Sequence, residues 1–249
     1  LNFLFKKGNK NYIFNFMTIE NNKRIAKNTL LLYFRTILTM LVALFTVRIV
    51  LDVLGIIDYG IFNVVGGVVT MLGFLSGTMA GASQRFLAFE IGRNDKVRLK
   101  KTFSVTLTIY VFIAFVVLIV AETFGLWFVN HKMVIPPDRI EAARWVYHFA
   151  VFSFVMTIIT IPYQSVIIAR EKMNIYALIG IIEVVVKLLI VYLLVLISFD
   201  KLKLYAILAF STTTIITLIY RIYCKKNFEE ATFKLSKDSN LQALENSIR

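Results

Sequence analysis

Charged residues inside long apolar stretches are the residues of this sequence that could do chemistry. Glu183 and Lys187 stand four positions apart in the middle of one apolar run, which places them on one face of a helix. Each charge alone would cost about 2.5–3.5 kcal/mol at the centre of a membrane helix. We therefore expect them to pair, either as a structural ion pair or within a substrate or ion pathway in which Glu183 is the ion-coupling group.

Two arginines occupy the first apolar run. Arg35 lies well inside it, and an intramembrane arginine usually faces a bundle interior or a watery cavity. We expect Arg35 either to extend toward the cytoplasmic surface or to contact an anionic substrate. Arg48 shares a helix face with Asp52 four residues later, which predicts an interfacial ion pair and leaves Arg48 as a further candidate for substrate binding.

Residue types that hold metals or act as nucleophiles are scarce. The chain has two histidines and one cysteine, and His131 and His148 show no metal-binding spacing. Cys224 has no partner for a disulfide. The segments between the apolar runs are short and basic, without the acidic or histidine cluster that a membrane-embedded enzyme would need. We therefore predict no enzymatic activity, no metal and no cofactor, apart from a transported H⁺ or Na⁺ coupled to function.

The elements that position these residues are apolar helices. Apolar residues make up 58% of the 249 residues and charged residues 17%, against roughly 45–50% and about 25% in soluble domains. A membrane crossing needs about 20 apolar residues. Six windows meet this requirement: 29–54, 60–82, 103–129, 145–169, 174–199 and 203–224. No window alternates like a strand, so the predicted fold class is all-α, a six-helix membrane bundle.

Basic residues indicate the orientation of the bundle. The net charge is +13, and 20 of the 28 Lys and Arg residues fall before the first window, after the second, after the fourth, or after the sixth when Arg221 at the end of that window is included. Five fall between the other windows when Lys203, the first residue of the sixth, is included. Cytoplasmic segments retain Lys and Arg, so both termini are predicted to be cytoplasmic. A basic stripe on a water-exposed fold, which nucleic-acid binding needs, is missing, and no nucleic acid is expected as a partner.

The segments outside the windows divide the chain into three parts. Residues 1–28 are predicted to be a basic cytoplasmic leader, with Met17 as an alternative start. Residues 29–224 form the six-helix lobe, and residues 225–249 a polar cytoplasmic tail. Six helices with both ends inside resemble half of a two-repeat transporter, so the chain is expected to be one half of such a protein.

Glycine and proline within the windows suggest close packing or movement. Gly66, Gly73, Gly77 and Gly81 follow one another at spacings of seven, four and four, which places them on one stripe of a continuous helix. Such a stripe lets another helix approach closely, either for static packing or as a surface that slides. Pro162 interrupts the fourth window and is expected to kink it, with a gating bend as the alternative.

Two stretches carry a resemblance to a known family. The run VLDVLGIIDYGIFNVVGGVV covers residues 50–69, and SGTMAGASQRFLAFEIGR covers residues 76–93. They resemble the start of the polysaccharide-biosynthesis flippases of the O-antigen type. This family is part of the superfamily that also contains the lipid II flippase and the multidrug and toxic compound extrusion antiporters. The LG..DYG element is similar to the family's first interhelical turn, and QRF, residues 84–86, is similar to its exit from the second helix.

This resemblance implies translocation of a polyprenyl-diphosphate-linked oligosaccharide across the bacterial inner membrane by alternating access, for synthesis of surface polysaccharide such as lipopolysaccharide. The family has two six-helix lobes around a cavity that is often lined with cations for the diphosphate. Gln84 and Arg85 join Arg35, Arg48 and Lys187 as candidate substrate-binding residues. The expected partners are the lipid-linked oligosaccharide, membrane lipids, a second lobe or second copy, and polysaccharide-synthesis enzymes.

Two other functions stay open. A cation-coupled multidrug antiporter of the same superfamily would use Glu183 or another acid as a group that takes up and releases the coupling ion. A non-transporting membrane scaffold for polysaccharide synthesis would instead copurify with glycosyltransferases.

Overall fold

The computed structural model describes residues 2–71, 73–197 and 199–231; for residues 2–22, 24, 74 and 75 it describes the backbone alone. This described part of the chain is helical throughout and holds no strand. Its helices are α1 (Asn2–Thr70), α2 (Gly73–Gly92), α3 (Lys96–Val120), α4 (Leu126–His131), α5 (Ile140–Ala169), α6 (Met173–Leu196) and α7 (Lys201–Asn227). A π-helical turn at Ala121–Gly125 joins α3 to α4, and short 3-10 turns lie at Pro137–Arg139 and Glu229–Ala231.

Helix α1 is divided by Gly55, whose backbone angles, φ 78° and ψ 169°, are not helical. Glycine adopts a positive φ without the steric penalty that a Cβ brings. Thr46 and Thr70, on opposite sides of Gly55, line the same cavity, although a straight helix would separate them by about 36 Å. The chain therefore folds back at Gly55, and the two arms of α1, residues 2–54 and 56–70, lie side by side.

The predicted second window, 60–82, is not one continuous helix. Helix α1 ends at Thr70, a turn follows at Met71, and α2 begins at Gly73. Glycine is a poor helix former because it loses the most backbone freedom on folding, and the sequence around this break is rich in it. A continuous helix through 60–82 is therefore replaced by two helices, of which one ends at Thr70 and the other begins at Gly73.

Five helical segments are long and apolar enough to cross a membrane: Ile25–Thr70, Lys96–His131, Pro137–Ala169, Met173–Leu196 and Lys201–Asn227. The last four overlap the third to sixth predicted windows but differ from them at most ends; the third window, for example, begins at 103 but its helix at Lys96, and the fifth ends at 199 but its helix at Leu196. The predicted all-α class, with helices long and apolar enough to cross a membrane, is thereby confirmed. The predicted leader continues α1 as helical backbone from Asn2, and the predicted tail lies outside the described residues from 232 onward.

Side-chain hydrogen bonds to the backbone define the start of two helices and the position of the π-helical turn. Asp95 accepts hydrogen bonds from the backbone N–H groups of Val97 and Arg98 at 3.1 and 3.0 Å, which starts α3. Asp200 caps α7 in the same way. These carboxylates satisfy N–H groups that have no partner within the helix. The Tyr147 hydroxyl donates to the Ala121 carbonyl at 2.6 Å and fixes the π-helical turn against α5.

Helix α5 is the centre of the bundle. Half of its most apolar window is buried, against 11% for the corresponding window of α1. It contributes to all three buried clusters, through residues such as Val146, Ile161 and Val166. Many large apolar side chains on the other helices are exposed, including Leu44 and Ile56. An apolar exterior of this extent suits a lipid environment rather than water.

Ion pairs mark the two ends of the bundle. At the Arg139 end, the guanidinium of Arg139 contacts the carboxylates of Asp58 at 2.6 Å and Asp200 at 3.2 Å. At the Arg170 end, Arg170 contacts Glu230, which is buried beside Phe228. Helices α5 and α7 begin at the Arg139 end, and α5 ends at the Arg170 end. The chain therefore runs up and down between these two ends.

Candidate functional site

A cavity of ≈ 610 Å³ lies between α1, α5, α6 and α7. Aromatic rings form part of its wall, among them Phe62, Phe149 and Tyr205. The wall also carries eight hydroxyl side chains: Thr46, Thr70, Ser153, Thr157, Thr160, Thr212, Thr213 and Thr217. These hydroxyl groups form a polar stretch in a wall that is otherwise mainly apolar, and the cavity is the strongest candidate for a functional site.

Most of these hydroxyl groups donate their proton to the backbone of their own helix. On α5, Ser153 donates to the Phe149 carbonyl at 2.7 Å, and Thr157 to the Ser153 carbonyl at 2.9 Å. On α7, Thr213 donates to the Ala209 carbonyl at 3.2 Å. A hydroxyl has one proton and two acceptor lone pairs. Because the proton is already used, each of these oxygens can offer only lone pairs to the cavity.

Glu183 and Lys187 bring charge into this wall. The Lys187 ammonium lies 2.6 Å from a carboxylate oxygen of Glu183, and both residues line the cavity. The predicted pairing at i and i+4 is therefore present. Both side chains stay partly exposed, at 48% for Lys187 and 32% for Glu183. A group that enters the cavity can thus reach the pair.

The floor of the cavity is a polar contact between α5 and α7. The hydroxyl oxygens of Thr160 and Thr217 lie 2.7 Å apart, and the side chain of Gln164 hydrogen bonds with the buried Tyr220. These pairs satisfy polar groups that would be costly to bury alone. They close the cavity toward the Arg170 end.

Arg35 lies between α1 and α6 and is not part of the cavity wall. Its guanidinium carbon lies 4.3 Å from the centre of the Tyr176 ring, which is a cation–π contact. A Cβ at Gly180 would come within 1.9 Å of Arg35 Nε, so the arginine occupies space that only a glycine leaves open. No carboxylate in the described part of the chain lies within 4 Å of this guanidinium.

The remaining predicted site residues lie outside the cavity wall. Arg48 and Asp52 are both exposed, and these two described side chains do not form the expected ion pair. On α2, Arg85 is exposed and Gln84 is half-buried. Of the candidate substrate-binding residues, the structure thus places Lys187 alone in the cavity.

The glycine stripe does not act as a contact surface within the described chain. A Cβ added at Gly66, Gly73, Gly77 or Gly81 would meet nothing within 4 Å, so the expected close approach of another helix is absent from the described residues. The break near residue 72 also separates Gly66 from the other three, and helical spacing does not carry across it. Gly66 instead lines the cavity. Pro162 is buried in α5, which continues through it to Ala169.

The spacing of serine and threonine residues in the sequence already indicates the hydroxyl-bearing part of the cavity wall. Ser153, Thr157 and Thr160 stand at spacings of four and three on α5, and Thr213 and Thr217 repeat this spacing on α7. Such spacings place small polar groups on one helix face. The spacings therefore predict a polar face on each of α5 and α7. They do not predict that these two faces contact each other.

A second polar cluster surrounds the turn at Gly55. Arg139 bridges Asp58 and Asp200 there, and Asp58 is 4% exposed. The other carboxylate oxygen of Asp58 is buried without a hydrogen-bond partner. The LG..DYG element therefore supplies both the left-handed residue of the turn and the carboxylate that ties it to α5. Sequence reasoning missed this cluster.

The histidines make local contacts. His148 Nδ1 lies 2.9 Å from a carboxylate oxygen of Glu122, and His131 Nδ1 lies 3.0 Å from the Trp127 carbonyl. Among the described residues no three of His, Cys, Asp and Glu gather as metal ligands.

Comparison of the chain with family models, curated proteins and solved structures gives no match. What the site offers is a mainly apolar cavity that carries a row of hydroxyl groups, one carboxylate and one ammonium group.

Proposed function

We propose that the chain is the N-terminal lobe of a flippase that moves a polyprenyl-diphosphate-linked oligosaccharide across the bacterial inner membrane for surface polysaccharide synthesis. The observation that carries this proposal is the hydroxyl-bearing cavity with its Glu183–Lys187 pair, enclosed by helices long enough to cross a membrane. Ionisable groups inside membrane helices generally mark transport pathways, because burying them without a use is costly.

In this proposal the lobe has six crossings. The first arm of α1 is the first crossing, and the second arm with α2 is a broken second crossing. Broken helices are a feature of many transporters, where irregular backbone lines a cavity. Gly66, Gly67 and Thr70, just before the break, line the cavity here. A helix that is already interrupted can change its bend at a lower cost than a continuous one, which supports alternating access.

Arg35 is the proposed contact for the diphosphate. Tyr176, on which its guanidinium stacks, lies one turn into α6 from the Arg170 end. If that end is cytoplasmic, Arg35 lies at the depth of the inner-leaflet headgroups. A lipid-linked diphosphate carries about two negative charges, and an arginine can bind such an oxyanion through two parallel hydrogen bonds.

The orientation belongs to the same proposal: both ends of the lobe face the cytoplasm. The segments near the Arg170 end hold most of the Lys and Arg residues, as cytoplasmic segments do. A second lobe or a second copy would complete the transport pathway, since the exposed apolar surface of this lobe leaves room for either. Enzymes of polysaccharide synthesis are the proposed neighbours in the membrane.

Transport in liposomes tests the proposal. The full gene product is reconstituted with a labelled polyprenyl-diphosphate sugar, and the arrival of the label in the opposite leaflet is measured. Arg35→Ala should slow arrival about tenfold, because a hydrogen bond to a charged group contributes about 1.5–3 kcal/mol. Arg93→Ala, an exposed arginine at the end of α2, is the matched control. Absence of transport, or equal rates for all three proteins, contradicts the proposal.

A cation-coupled multidrug antiporter is the second candidate. The observation that favours it is the single carboxylate, Glu183, in a wall that carries a row of hydroxyl groups. Dye efflux driven by a proton or sodium gradient, with no transport of the lipid-linked sugar, would support this candidate instead. Copurification with glycosyltransferases in the absence of either activity would indicate a scaffold.

A further inference from the structure

The segment directly after α7 is held against the Arg170 end of the bundle. Helix α7 ends at Asn227, and we call residues 228–231 the strap. Phe228, Glu230 and Ala231 of the strap are each only 6% exposed. Segments outside helices usually run over the surface of a protein and are mobile. Burial of three residues out of four therefore indicates a specific contact with the bundle.

A buried ion pair joins the strap to the end of α5. The Nε group of Arg170 donates a hydrogen bond to a carboxylate oxygen of Glu230 at 2.6 Å, across 60 positions of sequence. The guanidinium carbon of Arg170 also lies 5.1 Å from the centre of the Phe228 ring. The Glu230 side chain is 6% exposed and that of Arg170 33%. Water screens such a pair less than it screens an exposed one, so the pair contributes more to holding the strap.

The strap reaches α3 as well. Phe228 and Ala231 belong to the buried cluster that includes Leu99 of α3. The ammonium group of Lys96, at the start of α3, lies 3.5 Å from a carboxylate oxygen of Glu229, but these two side chains are 81% and 87% exposed. The strap thus connects the ends of α3, α5 and α7, and its buried ion pair is with Arg170.

The helix contact next to the strap is the one that closes the cavity. From Thr160 at the cavity floor to Arg170, α5 runs for about 15 Å. Over this length Tyr163 and Ile167 of α5 pack in one buried cluster with Tyr220 of α7. The direct path from the cavity to the Arg170 end is therefore blocked by the contact between α5 and α7, and it opens only if these helices separate.

Polar contacts matter more than usual for keeping such helices together in a membrane. Lipid tails are as apolar as the side chains, so the hydrophobic effect does not drive helices together there, and close packing and polar contacts hold them instead. The hydroxyl pair of Thr160 and Thr217 joins α5 to α7 beside the cavity. At the other end of the same contact, the pair of Arg170 with Glu230 joins opposite charges.

We infer that the strap is a lock on the Arg170 end of the bundle: while the buried Glu230 carboxylate holds Arg170, α7 stays against α5, and the cavity opens toward this end only after the strap releases. The hold on α7 is a property of the described lobe alone. Its use as a gate for a lipid-linked substrate rests on the proposed function.

Distances between spin labels test the inference without any transport assay. The full chain in lipid nanodiscs carries Lys172→Cys, just after α5, and Lys226→Cys, in the last turn of α7, in a Cys224→Ala background so that only the introduced thiols are labelled. Both labelled positions are exposed. Double electron–electron resonance should show mainly one short distance while the strap is intact. Glu230→Gln should raise the ratio of a longer distance to the short one about tenfold, the scale of one hydrogen bond to a charged group.

Two controls separate release of the lock from other effects. Glu229→Gln removes the neighbouring acid, whose pair with Lys96 is exposed. Exposed pairs contribute little, so the distances should stay as they are with the strap intact. A second label pair, Arg144→Cys and Phe199→Cys, lies at exposed positions near the Arg139 end. Its distance should not change in Glu230→Gln, because only the Arg170 end is released.

A double-mutant cycle tests whether Arg170 and Glu230 act through each other. Arg170→Gln should also favour the longer distance. The double variant should shift the distances by less than the two single effects combined, because both changes remove the same contact. Arg170→Lys keeps the charge but loses the planar guanidinium, and it should give a smaller shift in the same direction.

Four results overturn the inference. They are unchanged distances in Glu230→Gln, an equal shift in Glu229→Gln, an equal shift at the Arg139 end, and fully additive effects of the Arg170→Gln and Glu230→Gln changes. If Glu230→Gln does not fold, Arg170→Lys decides the matter, and unchanged distances in that variant overturn the inference. A chain that opens in Glu230→Gln but moves no lipid-linked sugar in liposomes would reject the proposed function and leave the lock in place.

Discussion

The guanidinium of Arg35 fits against α6 because residue 180 is a glycine. A Cβ there would lie 1.9 Å from Arg35 Nε and 2.8 Å from its Cζ. The guanidinium stacks instead on Tyr176, at 4.3 Å from the ring centre. One glycine on α6 thus determines the position of Arg35 on α1, and with it the packing of the two helices.

Gly180→Ala should displace Arg35 and lower stability by about 1 kcal/mol. The methyl group removes the cation–π contact, which contributes about 0.5–2 kcal/mol, while the arginine is flexible enough to move rather than force the helices apart. The melting temperature of the purified protein in detergent measures the change. Gly81→Ala on α2, where a Cβ meets nothing within 4 Å, is the control and should not lower it.

A double-mutant cycle separates this contact from a general effect on α6. In an Arg35→Ala background the Gly180→Ala change should no longer lower stability, because the atoms that would collide are gone, and it can be slightly stabilising because alanine favours a helix. An equal loss of stability in both backgrounds would show that Gly180 acts through something other than Arg35.

At the scale of helices, Gly55 is what lets α1 fold back on itself. Its φ of 78° belongs to a region that side chains with a Cβ seldom adopt, and no atom lies within 4 Å of where that Cβ would be. A substitution there is therefore strained by the backbone alone and not by crowding.

Gly55→Ala should destabilise the protein by about 1–3 kcal/mol, the usual cost of a strained backbone conformation. Gly60→Ala is the matched change five residues later in a helical stretch with equally open surroundings. It should be neutral or slightly stabilising, because alanine favours a helix. Thermal unfolding of the two variants gives the comparison, and equal melting temperatures would contradict the role assigned to Gly55.

Helices could be predicted from this sequence far better than the contacts between them. Apolar runs of membrane length predict a helix at each later window, and the i, i+4 rule predicts the Glu183–Lys187 pair. The break near residue 72 was missed, because the glycines there were interpreted as a packing stripe. The ion pair of Asp58 with Arg139 spans 81 positions, and the contact between the hydroxyl groups of Thr160 on α5 and Thr217 on α7 spans 57. Local periodicity contains neither.

For the molecule as a whole, Arg139 joins three distant parts of the chain. It contacts Asp58 in the α1 turn and Asp200 at the start of α7, while it stands at the start of α5 itself. Two carboxylates and one guanidinium hold the Arg139 end together where the helices would otherwise separate.

Arg139→Ala should destabilise the protein by about 3–5 kcal/mol, because it leaves the buried carboxylate of Asp58 without a counter-charge. Arg144→Ala, an exposed arginine that hydrogen bonds with Asn130, should have little effect. Unfolding in denaturant measures both. Adding Asp58→Ala to Arg139→Ala should restore most of the loss, and a double variant no more stable than the single one would argue against the ion pair as the cause.

The orientation proposed for the bundle can be tested with reporter fusions. Alkaline phosphatase joined after Val134, an exposed residue before α5, should be active, because the enzyme folds only outside the cytoplasm. Alkaline phosphatase joined after Asn94 or after Glu171 should be inactive, because both positions are proposed to face the cytoplasm. Green fluorescent protein joined at the same two positions should be fluorescent. The reverse pattern would place both termini outside.

The single thiol of this chain lies where solvent does not reach it. Cys224 is 0% exposed in the cluster that joins α5 to α7, and its Sγ donates to the Tyr163 carbonyl at 3.5 Å. A thiol must be exposed to react, so a maleimide dye added to the folded protein should remain dark. The dye should become fluorescent when α7 separates from α5. The unaltered chain thus carries its own built-in unfolding probe, located at the helix contact on which the cavity floor depends.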